Sequence, residues 1–358
     1  MLDQPDMFGV PRRADHKSIL GEEFMLPPFS VLNAREGWWQ ERKRKWLALG
    51  IQSELGRKAV PGEGGATAIY RQGRPAFSYG RAFGQDLMRG EHVVGQRLPP
   101  GGGGGGASRG GRLTASSEKF GNVGPTDDTA TKQTGTSIFD PVLCEVAYRW
   151  FCPPAGRVLD PFAGGSVRGV VASVLGREYD GVDLRPEQVA ANRAQGDICA
   201  APPPRWHVGD ARNIETVAPG EYDFLFSCPP YANLERYSDN PADLSTLAYP
   251  DFVAAYTECI AAACRMLKRD RFACFVVGDV RDDAGMYHGL PEDTAAAFRA
   301  AGLAKYNELI LVTAVGSLPV RVGKQFRAAR KVGKTHQNVL VFVKGDPRAA
   351  TRALEPML

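Results

Sequence analysis

RVLDPFAGGSVRGVVASVLGREYDGVD, residues 157 to 183, carries the pattern that decides the fold. A short strand, RVLD, runs into a turn with consecutive glycines at 164 and 165. A helical stretch at 166 to 176 follows, and a second strand, EYDGVD, ends on Asp183. Two parallel strands need such a crossover between them, so this order reads as one turn of a parallel sheet. The same texture continues outward in RWHVG (205 to 209), YDFLFS (222 to 227), RFACFVVGD (271 to 279), ELILVTAV (308 to 315) and NVLVFVK (338 to 344). Helices fit between them at 139 to 152, 185 to 194, 249 to 268 and 291 to 302. The longest places Phe252, Tyr256, Ile260, Cys264 and Leu267 at spacings of three and four.

Strand then helix, repeated, predicts an α/β fold: a Rossmann-like, doubly wound, mostly parallel seven-stranded sheet with helices on both faces. No helix is expected between the last two strands, so the last strand is expected to return antiparallel. Four segments are drawn: an N-terminal helical segment at 1 to 58, a flexible Gly-rich linker at 59 to 133, the main domain at 134 to 346, and a C-terminal tail at 347 to 358. The linker reading rests on six consecutive glycines, Gly101 to Gly106, and on little apolar periodicity around them. Before it, Trp38, Trp39, Trp46, Leu47 and Ile51 line one helical face, with RKRK at 42 to 45 among them. Anchoring of that helix on the main domain is favoured over direct nucleic-acid contact, since charge runs are usually solvated faces.

Composition narrows the class. The 358 residues are 43% hydrophobic and 23% charged, the balance of a soluble globular protein, and no apolar run reaches the roughly 20 residues of a membrane helix. The start, MLDQPDMFGVPRR, lacks the basic tip and apolar stretch of a secretory signal, so a cytoplasmic location is expected. Seven cysteines without a CxxC pair exclude a zinc ribbon or a disulfide scaffold and suggest reduced thiols. Net charge is only +4, so an acidic partner has to be argued from local charge.

In open α/β sheets ligands bind beyond the carboxyl ends of the strands. There the glycine loop lets the backbone turn tightly beside a helix start. Asp183 is placed to accept both hydroxyls of a ribose, and Asp210, after the third strand, an adenine amino group. The fourth strand ends in FLFSCPPYANLERYS, Phe224 to Ser238. Two prolines there fix an extended backbone and remove two donors, leaving carbonyls for an exocyclic amine, while Tyr231 offers a ring on which a planar base can stack. Arg321, Lys324, Arg327, Arg330, Lys331 and Lys334 follow without an intervening acid and read as a loop tracking phosphates. Asp279 in GDVRD is a candidate for the site rim or for a turn.

DPFAGG, an acidic second-strand end and a (D/N/S)PPY-like tetrapeptide, here CPPY after Ser227, together resemble the amino-directed DNA methyltransferases that use S-adenosylmethionine, over about residues 134 to 346. The KTHQNVLVFVKG ending and the PPFSVLNAREGWWQERKRKW segment are similar to phage-type DNA methylases, a group associated with restriction-modification. The resemblance implies DNA and S-adenosylmethionine as partners. It places Phe139 and Asp140 in the segment that closes over the methionine moiety, Asp160, Phe162 and Gly164 in the cofactor loop, Asp183 on the ribose and Asp210 on the adenine. Cys228, Pro229, Pro230 and Tyr231 then form the catalytic tetrapeptide. The sequence departs from the family in DPFAGGS, which lacks the usual later glycine, and at Cys228, which replaces Asp, Asn or Ser. A thiol is a poor acceptor. Ser227 taking that role, the Pro229 carbonyl sufficing, and a nucleophilic Cys228 in a pyrimidine C5 or RNA methyltransferase are all open. So is a non-catalytic DNA-binding protein that keeps the cofactor pocket.

Overall fold

The computed structural model describes residues 26–53, 139–232, 237–315 and 318–354, with the side chains of 319–321 left out. The segment expected to be a Gly-rich linker lies outside the described residues. In chain order the main elements are β1 (Val31–Asn33), α1 (Gly37–Leu47), α2 (Pro141–Phe151), β2 (Arg157–Asp160), α3 (Val167–Val174), β3 (Glu178–Asp183), α4 (Pro186–Arg193), β4 (Arg205–Val208), β5 (Tyr222–Ser227) and α5 (Tyr249–Met266). There follow β6 (Leu267–Val277), α6 (Leu290–Ala300), β7 (Ala304–Val312), α7 (Leu318–Ala329), β8 (His336–Lys344) and α8 (Pro347–Arg352).

Among the described residues the sheet has eight strands in the order β1-β7-β8-β6-β5-β2-β3-β4. Only β8 runs antiparallel, inserted between β6 and β7. The order reverses between β2 and β5, which opens the crevice where such sheets bind ligands. The central strands are apolar on both faces, as strands covered by helices on two sides must be. Val158, Phe224, Phe226, Phe272, Cys274, Val276 and Val341 pack beneath α2 and α3. The alternate residues Leu159, Leu225, Phe275, Val277 and Phe342 pack beneath α5 and α6.

Two features correct the sequence reading. The sheet has eight strands rather than seven, because Val31–Asn33 pairs in parallel with the end of β7, Val31 opposite Ile310 and Asn33 opposite Val312. Three residues show too little alternation to announce a strand; pairing with a preformed edge supplies the rest. The second correction concerns 318 to 329, expected as a loop and found as α7. Pro319 lies at the start of the helix, where its missing N–H costs nothing. The helix ends before Arg330, whose φ of +53° is left-handed. Because Val312 pairs with His336, the excursion through α7 begins and ends at the same end of adjacent strands, so β8 returns antiparallel despite the helix.

The N-terminal segment belongs to the same compact unit as residues 139–354. Helix α1 packs on α2 through Trp39 and Trp46, both fully buried. Glu145 of α2, with no exposed surface, accepts from Arg42 Nε at 2.6 Å, Trp46 Nε1 at 2.9 Å and Arg149 Nε at 3.0 Å, and Arg42 Nη2 also pairs with it. The tryptophans therefore anchor the helix. Half of the RKRK run is likewise structural: Arg42 is buried, and Lys43 pairs with Asp140. Beyond β8, the tail residues open with α8, capped by Asp346, which packs on β6 and β8.

Candidate active-site cleft

A cavity of about 670 Å³ lies over the carboxyl ends of the strands, within the range of small-ligand sites. Its wall includes Phe139, Asp140, Phe162, Gly164, Asp183 and Asp210 toward one end and Cys228, Pro229, Pro230, Tyr231 and Lys334 toward the other. Sequence-predicted residues from six separate segments thus meet around one space.

Of the residues expected to contact cofactor or base, two do not line it. Asp160 is completely buried beneath the glycine loop and accepts from Arg168 Nε at 2.6 Å, Ser227 Oγ at 2.6 Å, Tyr179 Oη at 2.7 Å and the Phe162 amide at 3.2 Å. Ser227 is equally buried, and its hydroxyl is spent on Asp160. Neither lines the cavity: Asp160 braces the loop from below, and the Ser227 hydroxyl is turned to Asp160 and away from the tetrapeptide's cleft face. Burial, reinforced by Asp160, raises the Tyr179 pKa well above the usual phenol range and keeps that hydroxyl a donor.

Arg168 is the main residue that motif reading missed. Its guanidinium bonds Asp160 and donates to the carbonyls of Phe162 and Ala163 at 2.7 and 2.9 Å, and its face covers the Phe139 ring at 4.6 Å. A lone arginine in an otherwise apolar helix, VRGVVASV, was the available signal. The loop is also held from outside. The Gly164 amide donates to Asp183 Oδ2 at 3.0 Å, and Asn192 Nδ2 donates to the Gly164 carbonyl at 2.7 Å. Asp183 Oδ1 accepts from the Arg185 amide at 2.9 Å. Gly165 has to be glycine for a different reason: a Cβ there would lie 2.0 Å from Ser53 Oγ, so the end of the N-terminal segment rests directly on the loop.

Asp210 caps the turn after β4 and is gripped by Arg212, with Nη2 at 2.6 Å from Oδ2. Burial alone would raise the Asp210 pKa, but the hydrogen bonds from Arg212 outweigh it and hold the carboxyl below its ordinary value. The carboxylate is therefore charged and able to accept.

At the other end, Tyr231 lies across Gly278, with a Cβ built on that glycine 3.5 Å from the ring. Gln337 Nε2 donates to its hydroxyl at 2.8 Å, and Cys228 Sγ is 3.4 Å from the same oxygen. In that second contact either the phenol or the thiol can be the donor. Burial first and the neighbouring Cys228 second raise the Tyr231 pKa well above normal, so the hydroxyl stays protonated. Gln337 stands at the start of β8 inside the KTHQNVLVFVKG stretch, although its type alone gave no hint of this role.

Lys324 and Arg327 are exposed one turn apart on α7, and Arg330 follows, exposed, with its guanidinium over the exposed Phe326 ring at 5.1 Å. Lys331 is half-buried beside Gly285. Lys334 is half-buried in the cavity wall, 5.6 Å above the Tyr287 ring, and burial lowers its pKa. Arg321 lies on α7, its side chain outside the description. Asp279 lines the cavity and accepts from the Val280, Gly289 and Leu290 amides, so it serves both rim and turn.

No protein-family model matches the sequence, and no curated protein does. Among solved structures the chain is similar to TrmN from Thermus thermophilus, with 17% identity and a TM-score of 0.40 over 57% of this chain and 49% of TrmN, about half of that protein's length. It is similar to a methyltransferase from Pyrococcus furiosus, with 15% identity and a TM-score of 0.39 over 58% of this chain and 84% of the other. A third similar structure is the magnesium protoporphyrin IX methyltransferase of Synechocystis with bound SAM, at 10% identity and a TM-score of 0.37 over 57% and 79% of the two chains.

Proposed function

We propose that this protein transfers a methyl group from S-adenosylmethionine to an exocyclic amine of a DNA base, adenine N6 or cytosine N4, swung out of the duplex. The observation that carries the reading is the meeting, in one cavity, of a glycine loop braced by Asp183, the acceptor Asp210 and the Cys228-Pro229-Pro230-Tyr231 turn. Asp183 and Asp210 suit the ribose hydroxyls and the adenine amine of a nucleoside. The cofactor, when bound, supplies an electrophilic methyl group. The chain's own part is placement: the Tyr231 ring stacks on the base, and carbonyls of the proline turn accept from the amine and orient its lone pair. Lys324, Arg327 and Arg330 supply exposed positive charge for phosphates.

The test is methyl transfer from labelled S-adenosylmethionine to duplex DNA and to RNA, with the product nucleoside identified by mass. N6-methyladenine or N4-methylcytosine in DNA is expected. 5-Methylcytosine would move the chemistry to a nucleophilic Cys228. Label in RNA alone would replace the substrate, and no transfer with cofactor still bound would leave a binding protein.

A further inference from the structure

The end of β6 leads into a hairpin that methyl transfer itself does not use. Gly278, Asp279 and Val280 line the cavity, with Tyr231 across Gly278. From there residues 281–288 turn back on themselves: Arg281 bridges Tyr287, the His288 amide donates to the Val280 carbonyl at 2.9 Å, and the Asp282 amide donates to the Met286 carbonyl at 2.9 Å. The turn is closed by the Met286 amide on Asp282 Oδ1 at 2.7 Å and by Arg281 Nη1 on the Gly285 carbonyl at 2.7 Å. Two residues of the basic stretch pack against it. Lys331 Nζ fills the space that a side chain at Gly285 would need. Lys334, in the cavity wall, stands 5.6 Å from the centre of the Tyr287 ring, whose face Arg281 covers at 3.7 Å.

What this braced turn holds out is apolar: Met286 is 66% exposed and Tyr287 43%. Single exposed apolar residues are ordinary, but two in succession on an ordered tip at the rim of a cleft mark a contact surface. Positive charge flanks them, from Arg281 in the stem and from Lys331 and Lys334 packed against it. Asp283 adds an exposed carboxylate to the tip, where a phosphate would be repelled and a base amine would be met. An apolar end between cations fits a duplex, whose apolar base stack runs between two phosphate chains. We propose that the hairpin is a wedge for duplex DNA: Met286 enters the base stack beside the nucleotide that swings into the cavity. Lys331 and Lys334 then brace the wedge instead of tracking phosphates, which accounts for their being half-buried while Lys324, Arg327 and Arg330 are exposed. The inference rests on the DNA reading above and adds to it the element that fills the gap.

The experiment uses two duplexes of one sequence, taken from DNA that the protein methylates and either fully paired or mismatched at the methylated base. Binding to the full chain is followed by fluorescence anisotropy over a salt series. Met286→Ala is expected to lose about tenfold in affinity for the paired duplex, the order expected when most of a buried methionine side chain is removed. The loss should be smaller on the mismatched duplex, whose stack is already loosened, and Met286→Leu should restore most of it. The slope of affinity against salt should stay as it was, because no phosphate contact is lost. Unchanged affinity of Met286→Ala for the paired duplex would overturn the wedge, and so would an equal loss on both duplexes. Tighter binding by Met286→Lys, with a steeper salt slope, would overturn it too by placing the tip on a phosphate. If the unaltered protein methylates no DNA, the DNA reading itself fails and the wedge with it, a result distinct from the other three.

Discussion

The two ends of the cleft are built on different terms. Around the glycine loop, every group that shapes the backbone is itself tied down: Asp160 takes four donors, Arg168 spans a carboxylate and two carbonyls, and Asn192 and Asp183 grip Gly164 from outside. Around the tetrapeptide the hydroxyl of Tyr231 has Gln337 and a soft contact to sulfur, and α7, which precedes the strand bearing Gln337, shows exposed Phe326 with its cations in solvent. One end is preorganised for a ligand of fixed shape, at little entropy cost on binding. The other keeps side chains that can rearrange around a large partner, as nucleic-acid contacts commonly require.

This contrast is breakable, and its largest consequence lies beneath the loop. Asp160→Ala leaves the Arg168 guanidinium, 4% exposed, without its carboxylate. A loss of about 3–5 kcal/mol in unfolding free energy is expected, the cost of stranding a buried charge. Urea denaturation measures it, with the exposed Arg265–Glu215 pair as control, where Glu215→Ala should cost under about 1 kcal/mol. If the two variants lose the same amount, the loop is not held from below.

Asp183→Ala removes both the brace on Gly164 and the proposed ribose acceptor. Cofactor affinity should fall by about 2–4 kcal/mol in calorimetry, with much less change in stability, because the residue faces the cavity. A change in stability without a change in affinity would make it another strut.

At the adaptable end effects should be smaller per residue and dependent on salt. Removing Lys324, Arg327 and Arg330 together should lower affinity for every duplex and flatten the logarithmic salt dependence by about three phosphate contacts, leaving cofactor affinity untouched. An unaltered salt slope would return α7 to plain surface. The smallest effect is expected at Cys228→Ser, which should retain turnover or raise it slightly, since a hydroxyl accepts an amine hydrogen bond better than sulfur. Collapse of activity by orders of magnitude, with a covalent adduct of fluorinated cytosine on Cys228, would reverse that expectation.

The same division separates what could be read in the sequence from what could not. β2, β3 and β5 fall on the residues expected of them: β5 carries a buried apolar run, and β2 and β3 are bracketed by the glycine turn and the helix between them. The loop, Asp183, Asp210 and the tetrapeptide converge as their strand-end positions demanded. Motif matching cannot tell which side of the backbone a residue faces, and so Asp160 and Ser227 looked like ligand contacts when they bond each other. β1 and α7 escaped because their order comes from partners distant in sequence: β1 from the edge of β7, α7 from contacts such as that of Leu318 with Gly333, where a Cβ would come within 2.7 Å. Arg42 and Lys43 were hidden inside a charge run whose members turn out to have separate duties.

The short pairing of β1 with β7 has a bearing on how this protein could be trimmed or recombined. The strand occupies an edge that would otherwise present unpaired N–H and C=O groups to any passing chain, an invitation to aggregate. The helix behind it supplies Arg42 and Trp46 to the buried Glu145, whose further donor, Arg149, lies on α2 itself. A fragment cut to begin at α2 would keep the glycine loop and the tetrapeptide and yet start life with a sticky border and with Glu145 stripped of its Arg42 and Trp46 partners. Any exchange of modules between such proteins therefore has to move residues 26–53 along with the sheet they complete, across whatever length of chain separates the two.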